Sequence, residues 1–387
     1  MELSRIRLIR NDVSVWLIYA GTGRRFFELF RDTRSVFLSL PGFDANDRVF
    51  ESEELIRRHL HMSDAIGRYV RGATNTPPSR RPSAYNPYPY QTGSTEAKSF
   101  AAELGNVIRL FVDAKAGDLV MSPPYGHFDP FLIGEITHPW RKTDDTPIAL
   151  LQGEIVPARK VRWLNTALAR RDFPARVSRR LQNKHAITKL DPEYYEEIFS
   201  RVYPSYVWGE HSKLDVFGDD YRGKDPLQPY AAARLIKYVV ASVFAYSIGE
   251  IESFQGMDLQ QAIDHYYDEA LVEEFAQNFN SPGRFSIIAA LGSLSILASA
   301  GLMVATADPA QNFDQTKQEA TDTVKNAMAG AGKAPREAEL DDYINSMRPT
   351  NWREVQRQLG RPATNAMTLS LSERVQVANH RAQLDAR

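Results

Sequence analysis

The sequence predicts an α+β fold in which a small β-barrel domain precedes a mainly helical region. The first half contains short β-branched and aromatic runs closed by glycine or proline, a pattern typical of strands. The second half contains longer segments with apolar residues at helical spacing. Between Arg284 and Asp308 the chain carries no charged side chain. We therefore divide the 387 residues into a barrel domain, a helical domain, a hydrophobic segment and a helical tail, at 1–190, 191–282, 283–310 and 311–387.

The elements of the barrel are predicted from local patterns. VSVWLIY and SVFLSL read as buried strands that end at Gly21 and Pro41. Apolar residues at helical spacing predict helices over 51–70 and 95–112. A Pro- and Tyr-rich stretch between these helices, at 74–93, predicts a long loop. Four further strands are predicted at 118–122, 131–137, 148–156 and 159–164.

Composition limits the function classes. Charged residues make up 25% of the chain and the net charge is −1, so any basic surface must be local. The absence of cysteine excludes disulfides, thiolate metal sites and cysteine nucleophiles. The N-terminal stretch lacks the apolar core of a secretory signal, which predicts a cytoplasmic protein, at most attached to the inner face of the membrane. No metal or other cofactor is expected.

Four motifs carry a resemblance to a known family: VWLIYAG at 15–21, GDLVMSP at 117–123, IGEI at 133–136 and ARKVRWL at 158–164. In this order, residues 1–190 resemble a PUA-like domain. The likeness is strongest to the N-terminal domains of Mrr-type and related modification-dependent restriction proteins, and looser to EVE domains. It implies a barrel that binds nucleic acid and reads a modified or flipped base in an aromatic pocket, in anti-phage defence. That family's nuclease core does not follow residue 190.

A basic run independently indicates nucleic acid binding. Between residues 159 and 184, Asp172 is the only acid among many Lys and Arg, a pattern that suits phosphates. A solvated helix face, an acidic lipid surface or another subunit would explain the same run. The candidate phosphate-binding residues are Arg159, Arg162, Arg170, Arg171, Arg176, Arg179, Arg180 and Lys184.

Aromatic side chains in the first half are candidates for stacking on a base. Trp16 lies in an apolar strand pattern, where a core position is the more common role. Tyr125 and Trp140 flank turns and are better placed to line a pocket. The candidate base-pocket residues are Trp16, Tyr19, Tyr125 and Trp140.

The hydrophobic segment at 285–307 has two interpretations. A helix of about 20 apolar residues can cross a bilayer, and small residues such as Ser299 and Gly301 would allow close helix contact there. The alternative is a buried hairpin of two short core helices. A single membrane-spanning helix is the favoured prediction, and the membrane is therefore a candidate partner.

Enzymatic activity is left open because no complete catalytic motif is found, and the catalytic residues are unknown. Asp215 with Glu250 and Glu252 is the best acidic cluster, and EHSK at 210–213 is similar to the E-x-K strand of restriction folds. A helix predicted over 258–279 would place His265, Glu269 and Glu273 on one face, where a solvated face is the commoner role than a metal site.

Three functions are compatible with these patterns. The favoured one is a defence-type sensor, in which recognition of modified DNA or RNA by the barrel controls a helical effector associated with the membrane. Such control acts by shifting a two-state equilibrium, so homo-oligomerisation is also predicted. The alternatives are a diverged restriction-type nuclease and a soluble structural or interaction protein that buries 285–307.

Overall fold

The structure is a computed structural model. It describes residues 7–71, 81–82, 100–126, 128–182, 185–209, 211–218, 227–278, 283–289, 294–306, 312–328, 337–348, 352–353 and 357. The loop predicted at 74–93 lies outside these residues apart from Arg81 and Pro82. Two compact units make up the chain, one of residues 12–202 and one of residues 1–11 with 203–387. The first unit thus ends at residue 202, whereas the sequence placed this boundary at 190.

The described strands lie in both units. They are β1 (Arg7–Ile9), β2 (Val15–Ile18), β3 (Ser35–Phe37), β4 (Leu119–Ser122), β5 (Leu132–Ile136), β6 (Thr146–Ile148), β7 (Glu154–Val156), β8 (Ala158–Trp163), β9 (Ile187–Lys189), β10 (Tyr206–Trp208), β11 (His211–Gly218), β12 (Val272–Asn278) and β13 (Gly283–Ala289).

The described α-helices are α1 (Phe27–Thr33), α2 (Asp47–Phe50), α3 (Glu53–Arg71), α4 (Ala101–Ile108), α5 (Ala175–Arg180), α6 (Tyr195–Val202), α7 (Leu227–Ser247), α8 (Ile251–Gln255), α9 (Leu259–Tyr266), α10 (Leu294–Thr306), α11 (Phe313–Met328) and α12 (Glu337–Ser346). Short 3-10 turns connect several of them, and a π turn at Arg109–Asp113 extends α4.

A six-stranded mixed sheet that curls into a half-barrel forms the base of the 12–202 unit. Its order is β3-β8-β5-β4-β2-β9, with β2 and β4 parallel and the other neighbours antiparallel. Every residue of β2 and β4 is buried, which explains why these strands read as continuous apolar runs. The strand predictions at 13–19, 118–122, 131–137 and 159–164 are confirmed. The single strand predicted at 148–156 is instead a hairpin of β6 and β7.

Helices and aromatic rings close the core of this unit. The helix predicted at 51–70 is confirmed as α3, which buries Ile56, Leu60 and Ile66 at helical spacing. Phe37 at the end of β3 contacts the rings of Phe26 and Phe30 at centroid distances of 5.4 and 4.9 Å. These contacts fix the chain that follows β2 against the end of β3.

The second unit contains a five-stranded sheet in the order β1-β10-β11-β13-β12. The region predicted as a helical domain, 191–282, therefore contains the strands β10, β11 and β12 as well as helices. The helix α7 contributes to the core of this unit, where Leu235, Val239 and Val243 are buried. The helix predicted over 258–279 is confirmed only in its first part, as α9, which ends at Tyr266. His265 lies in α9, Glu269 in a 3-10 turn and Glu273 in β12, so they share no helix face.

The hydrophobic segment at 285–307 is not one helix. Its first part is the strand β13, which pairs with both β11 and β12, and its second part is the helix α10. At 13 residues, α10 is about 20 Å long, less than the ~30 Å of a bilayer core. Both sequence interpretations, a membrane span and a hairpin of two helices, are wrong. None of the helices described here is both long and apolar enough to cross a membrane.

Candidate functional site

A cavity of about 730 Å³ opens in the 12–202 unit, beside the residues that follow β2 and β3. Tyr19 and the turn after it form one wall, and Phe37 to Leu40 form another. The side chains of α4 and the segments around α5 complete the lining. The polar and aromatic residues that line it are Tyr19, Thr22, Arg24, Arg25, Phe37, Ser39, Glu103, Asn106, Arg170 and Gln182.

The turn at residues 21–25 adopts a backbone conformation that depends on the glycine at its first position. Gly21 has a φ of 75°, and a Cβ there would lie 2.6 Å from Cδ2 of Phe26, so glycine is required. Arg24 is also left-handed, with a φ of 57°, which is uncommon for a non-glycine residue. The Phe26 amide donates to the Ala20 carbonyl over 3.0 Å and holds the turn closed. The turn thereby presents two arginines to the cavity.

Tyr19 and Arg24 form a stacked pair at the cavity wall. The guanidinium carbon of Arg24 lies 5.5 Å from the centroid of the Tyr19 ring. Nε of Arg24 is buried without a hydrogen-bond partner among the described residues. Next to this pair, Arg25 donates a hydrogen bond to Oγ of Ser39 over 3.2 Å. The wall therefore offers an aromatic face, two cations and an unused buried donor.

The other polar side chains of the cavity lining neutralise the positive charge of its arginines only in part. Three arginines face a single acid, Glu103, so the lining carries a net positive charge. Ser39, Asn106 and Gln182 add neutral donors and acceptors. A planar ring bearing a negative group fits such a lining, because the ring can stack on an aromatic side chain while the anion meets guanidinium groups.

The basic residues between 170 and 180 occupy two places. One of them lines the cavity, and the others are exposed at the protein surface. Arg170 lines the cavity, and Arg171 lies over the ring of Phe128 at 6.0 Å. On α5 the side chains of Arg176, Arg179 and Arg180 are exposed. Lys184 lies outside the described residues.

Two of the three exposed arginines of α5 also contact α6 and the turn before it. Arg176 pairs with Glu197 at 2.6 Å, and Nε of Arg180 donates to the Tyr194 hydroxyl over 3.1 Å. These contacts leave both guanidinium groups at the surface. A phosphate would compete with Glu197 for Arg176.

Arg159 does not belong to this surface, and its assignment as a phosphate ligand is wrong. Its side chain is 1% exposed and its guanidinium donates to the carbonyls of Leu110, Ala114 and His138 over 2.9, 3.0 and 3.2 Å. Burial lowers the pKa of Arg159 to about 10, so the group stays charged at neutral pH. Its role is to tie the carbonyls of Leu110, Ala114 and His138 to β8.

Arg162, on the same strand, points into solvent. Its side chain is 59% exposed and pairs with the buried carboxylate of Glu135 on β5. Arg162 therefore remains accessible, although part of its charge is compensated by this pair.

The four aromatic candidates also differ in whether they are buried, exposed or part of the cavity lining. Trp16 is 1% exposed, and its indole N–H donates to Asp118 over 2.8 Å, so its assignment to a base pocket is wrong. Trp140 packs edge-on against Phe50 and donates to Asp145 over 3.1 Å, away from the cavity lining. Tyr125 is 80% exposed on a loop. Of the four candidates, only Tyr19 lines the cavity.

Sequence reasoning missed Arg24 and Arg25. The available signal was GTGRR directly after a strand, a glycine-rich turn followed by two cations. In the sequence alone, these glycines indicate only the end of the strand. A glycine-rich turn that positions charged side chains is a recurrent way to build a ligand site.

The residues proposed for a nuclease have structural partners where they are described. The Lys213 ammonium is buried and donates to the Tyr203 carbonyl over 3.3 Å. Glu250 accepts a hydrogen bond from Tyr266 at 3.0 Å, and Glu252 lies 3.8 Å from Arg348. Glu210 and the side chain of Asp215 lie outside the part of the chain that the structure describes. Within the described part of the chain, no three His, Asp or Glu side chains cluster as metal ligands would.

No family model, characterised protein or solved structure matches this chain.

Proposed function

We propose that the protein senses nucleic acid through a PUA-like 12–202 unit, which takes one base into the cavity beside Tyr19. The observation that supports this most directly is the stacked pair of Tyr19 and Arg24 in a cavity also lined by Arg25 and Arg170. The volume of about 730 Å³ lies in the roughly 300–1,000 Å³ range of small-ligand pockets.

The polar lining has the groups that reading a base requires. An unstacked base is recognised by hydrogen bonds along its edge and by stacking on its face. Ser39, Glu103, Asn106 and Gln182 supply donors and acceptors, and Tyr19 supplies the aromatic face. The exposed arginines of α5 would contact phosphates along the strand. The remaining unit would act as the effector, and the link to defence rests on the family resemblance.

Replacing Tyr19 with Ala is expected to weaken binding of single-stranded oligonucleotides roughly 5- to 150-fold, because base stacking contributes about 1–3 kcal/mol. The measurement is fluorescence anisotropy of the full chain with labelled RNA and DNA strands. Tyr19→Phe keeps the ring and is expected to retain most of the affinity.

Arg68→Ala is the matched surface control for this cavity. Arg68 lies on α3, is 44% exposed and pairs with Asp64, so its loss should leave binding unchanged. If neither RNA nor DNA binds at low salt, or if Tyr19→Ala binds like the unaltered protein, the proposal fails.

The triple change Arg176, Arg179 and Arg180 to Ala is expected to lower affinity and to reduce the slope of log K against log salt by about 2. Each phosphate contact on a single strand contributes roughly 0.7 to that slope through counterion release. The control removes the same charge from α3, in Arg57, Arg58 and Arg68. An equal loss in both triple variants would show an effect of net charge alone.

A further inference from the structure

The loop between β4 and β5 exposes two aromatic side chains, Tyr125 and Phe128. Tyr125 is 80% and Phe128 is 70% exposed, the largest values among the exposed large apolar side chains of the described residues. Pro123 and Pro124, which precede them, are buried and anchor the loop. Leaving two aromatic rings in water forgoes burial of about 1.5–3 kcal/mol each. We call Tyr125 and Phe128 the aromatic tip.

A short turn links the aromatic tip to the cavity. Within the 3-10 turn Arg170–Asp172, Arg170 lines the cavity and Arg171 lies over the Phe128 ring at 6.0 Å. The turn is held firmly, because the Asp172 carboxylate accepts from the Ala169 amide over 2.7 Å. Just before it, the Leu168 carbonyl accepts from the Phe131 amide over 2.9 Å. Two adjacent arginines thus connect the cavity lining and the tip.

The charges near the tip decide which part of a ligand can contact it. Asp129 follows Phe128 in sequence, and its carboxylate lies so close to Gly126 that a Cβ on Gly126 would meet it. Such a carboxylate repels phosphate, whereas Arg170 and Arg171 attract it. A nucleic acid strand would therefore place phosphate at the two arginines and an uncharged base at the rings.

We propose that the ligand is an unpaired strand, with one base in the cavity and a neighbouring base stacked on Tyr125 and Phe128. The inference rests on the proposed function and adds its substrate class. Base pairing and stacking within a duplex cover the base faces that the tip would contact, whereas an unpaired strand exposes them. Arg171 contributes a second stacking surface beside Phe128.

The test compares a mononucleotide with longer strands on the full chain. The double variant Tyr125→Ala, Phe128→Ala is expected to bind a single-stranded hexanucleotide roughly 10- to 100-fold more weakly. Binding of a nucleoside monophosphate, which reaches only the cavity, should change less than about 2-fold. A 2-aminopurine next to the bound base should be quenched by the unaltered protein and not by the variant.

The control is Leu150→Ala, since Leu150 is an exposed apolar side chain of the same unit, 59% exposed. Hexanucleotide binding that depends on Tyr19 but not on the tip overturns this inference and leaves the proposed function standing. Equal affinity for duplex and single strand also overturns it. If neither hexanucleotide nor mononucleotide binds, both fail. Tip-dependent binding of phosphatidylserine vesicles, with no tip-dependent oligonucleotide binding, identifies a lipid surface instead and overturns it.

Discussion

Arg159→Ala is expected to lower the free energy of unfolding of the 12–202 unit by about 3–5 kcal/mol. The change removes a buried cation and leaves the carbonyls of Leu110, Ala114 and His138 without their donor. The measurement is urea unfolding of the full chain, with hydrogen exchange of peptides from β5 and β8 to locate the loss.

Two variants separate this role from a simple loss of charge. Arg159→Lys keeps the cation but offers one nitrogen in place of the planar fork that reaches three carbonyls, so an intermediate loss is expected. Arg68→Ala removes an exposed guanidinium whose ion pair with Asp64 is worth at most about 1 kcal/mol. A loss below about 1 kcal/mol for Arg159→Ala would contradict the structural role.

Arg159 was assigned to the basic surface because it lies in a run of charged residues. Such a run does not by itself show which of its side chains are buried. Within β8, Arg159 and Val161 are both buried while Arg162 is exposed. Side chains two residues apart share a face of a strand, so the apolar Val161 already indicated that Arg159 points inward. Treating all the arginines of the run as one exposed surface overlooked this alternation of side chains along the strand. The arginines of α5 lie on a short helix and are exposed, as the composition of that stretch predicted.

The hydrophobic segment was misread for a related reason. Apolar character predicts burial, but not whether lipid or protein surrounds the residues. The sequence changes from FSII, which has adjacent β-branched residues, to LASAGLM, which favours helix. That change marks the passage from β13 to α10. Both elements need the remainder of their unit as partners, and those partners are distant in sequence.

Short buried strands were predictable, whereas the cavity was not. β2, β4 and β5 follow from local apolar runs, because buried strands are apolar whatever they pair with. The cavity is built from the ends of β2 and β3, from α4 and from Arg170, and it exists only once these parts are packed. Sequence reasoning therefore found Tyr19 and Arg170 individually, without the turn at 21–25 that joins them.

Gly301→Leu is expected to destabilise the second unit by about 3 kcal/mol. Gly301 lies in α10, where an added Cβ would be 2.8 Å from the Tyr343 hydroxyl and 3.1 Å from Cγ1 of Val239. Tyr343 on α12 is fully buried and pairs with Ser242 on α7 at 2.7 Å. Burial raises the pKa of Tyr343, so the hydroxyl stays protonated and polar. A leucine would force these helices apart and break that hydroxyl pair.

Small residues in this segment thus allow close packing within the protein, the same property that had suggested a membrane helix. Gly301→Ala separates the steric effect from helix propensity. Alanine is about 1 kcal/mol more favourable than glycine in a helix, and its single methyl group causes a smaller clash than leucine. Because the two effects oppose each other, the free energy of unfolding is expected to change by no more than about 1 kcal/mol. Gln318→Leu, on the exposed face of α11, places the same side chain in solvent and should cost little. Equal stability of Gly301→Leu and Gln318→Leu would show that α10 does not pack against Tyr343.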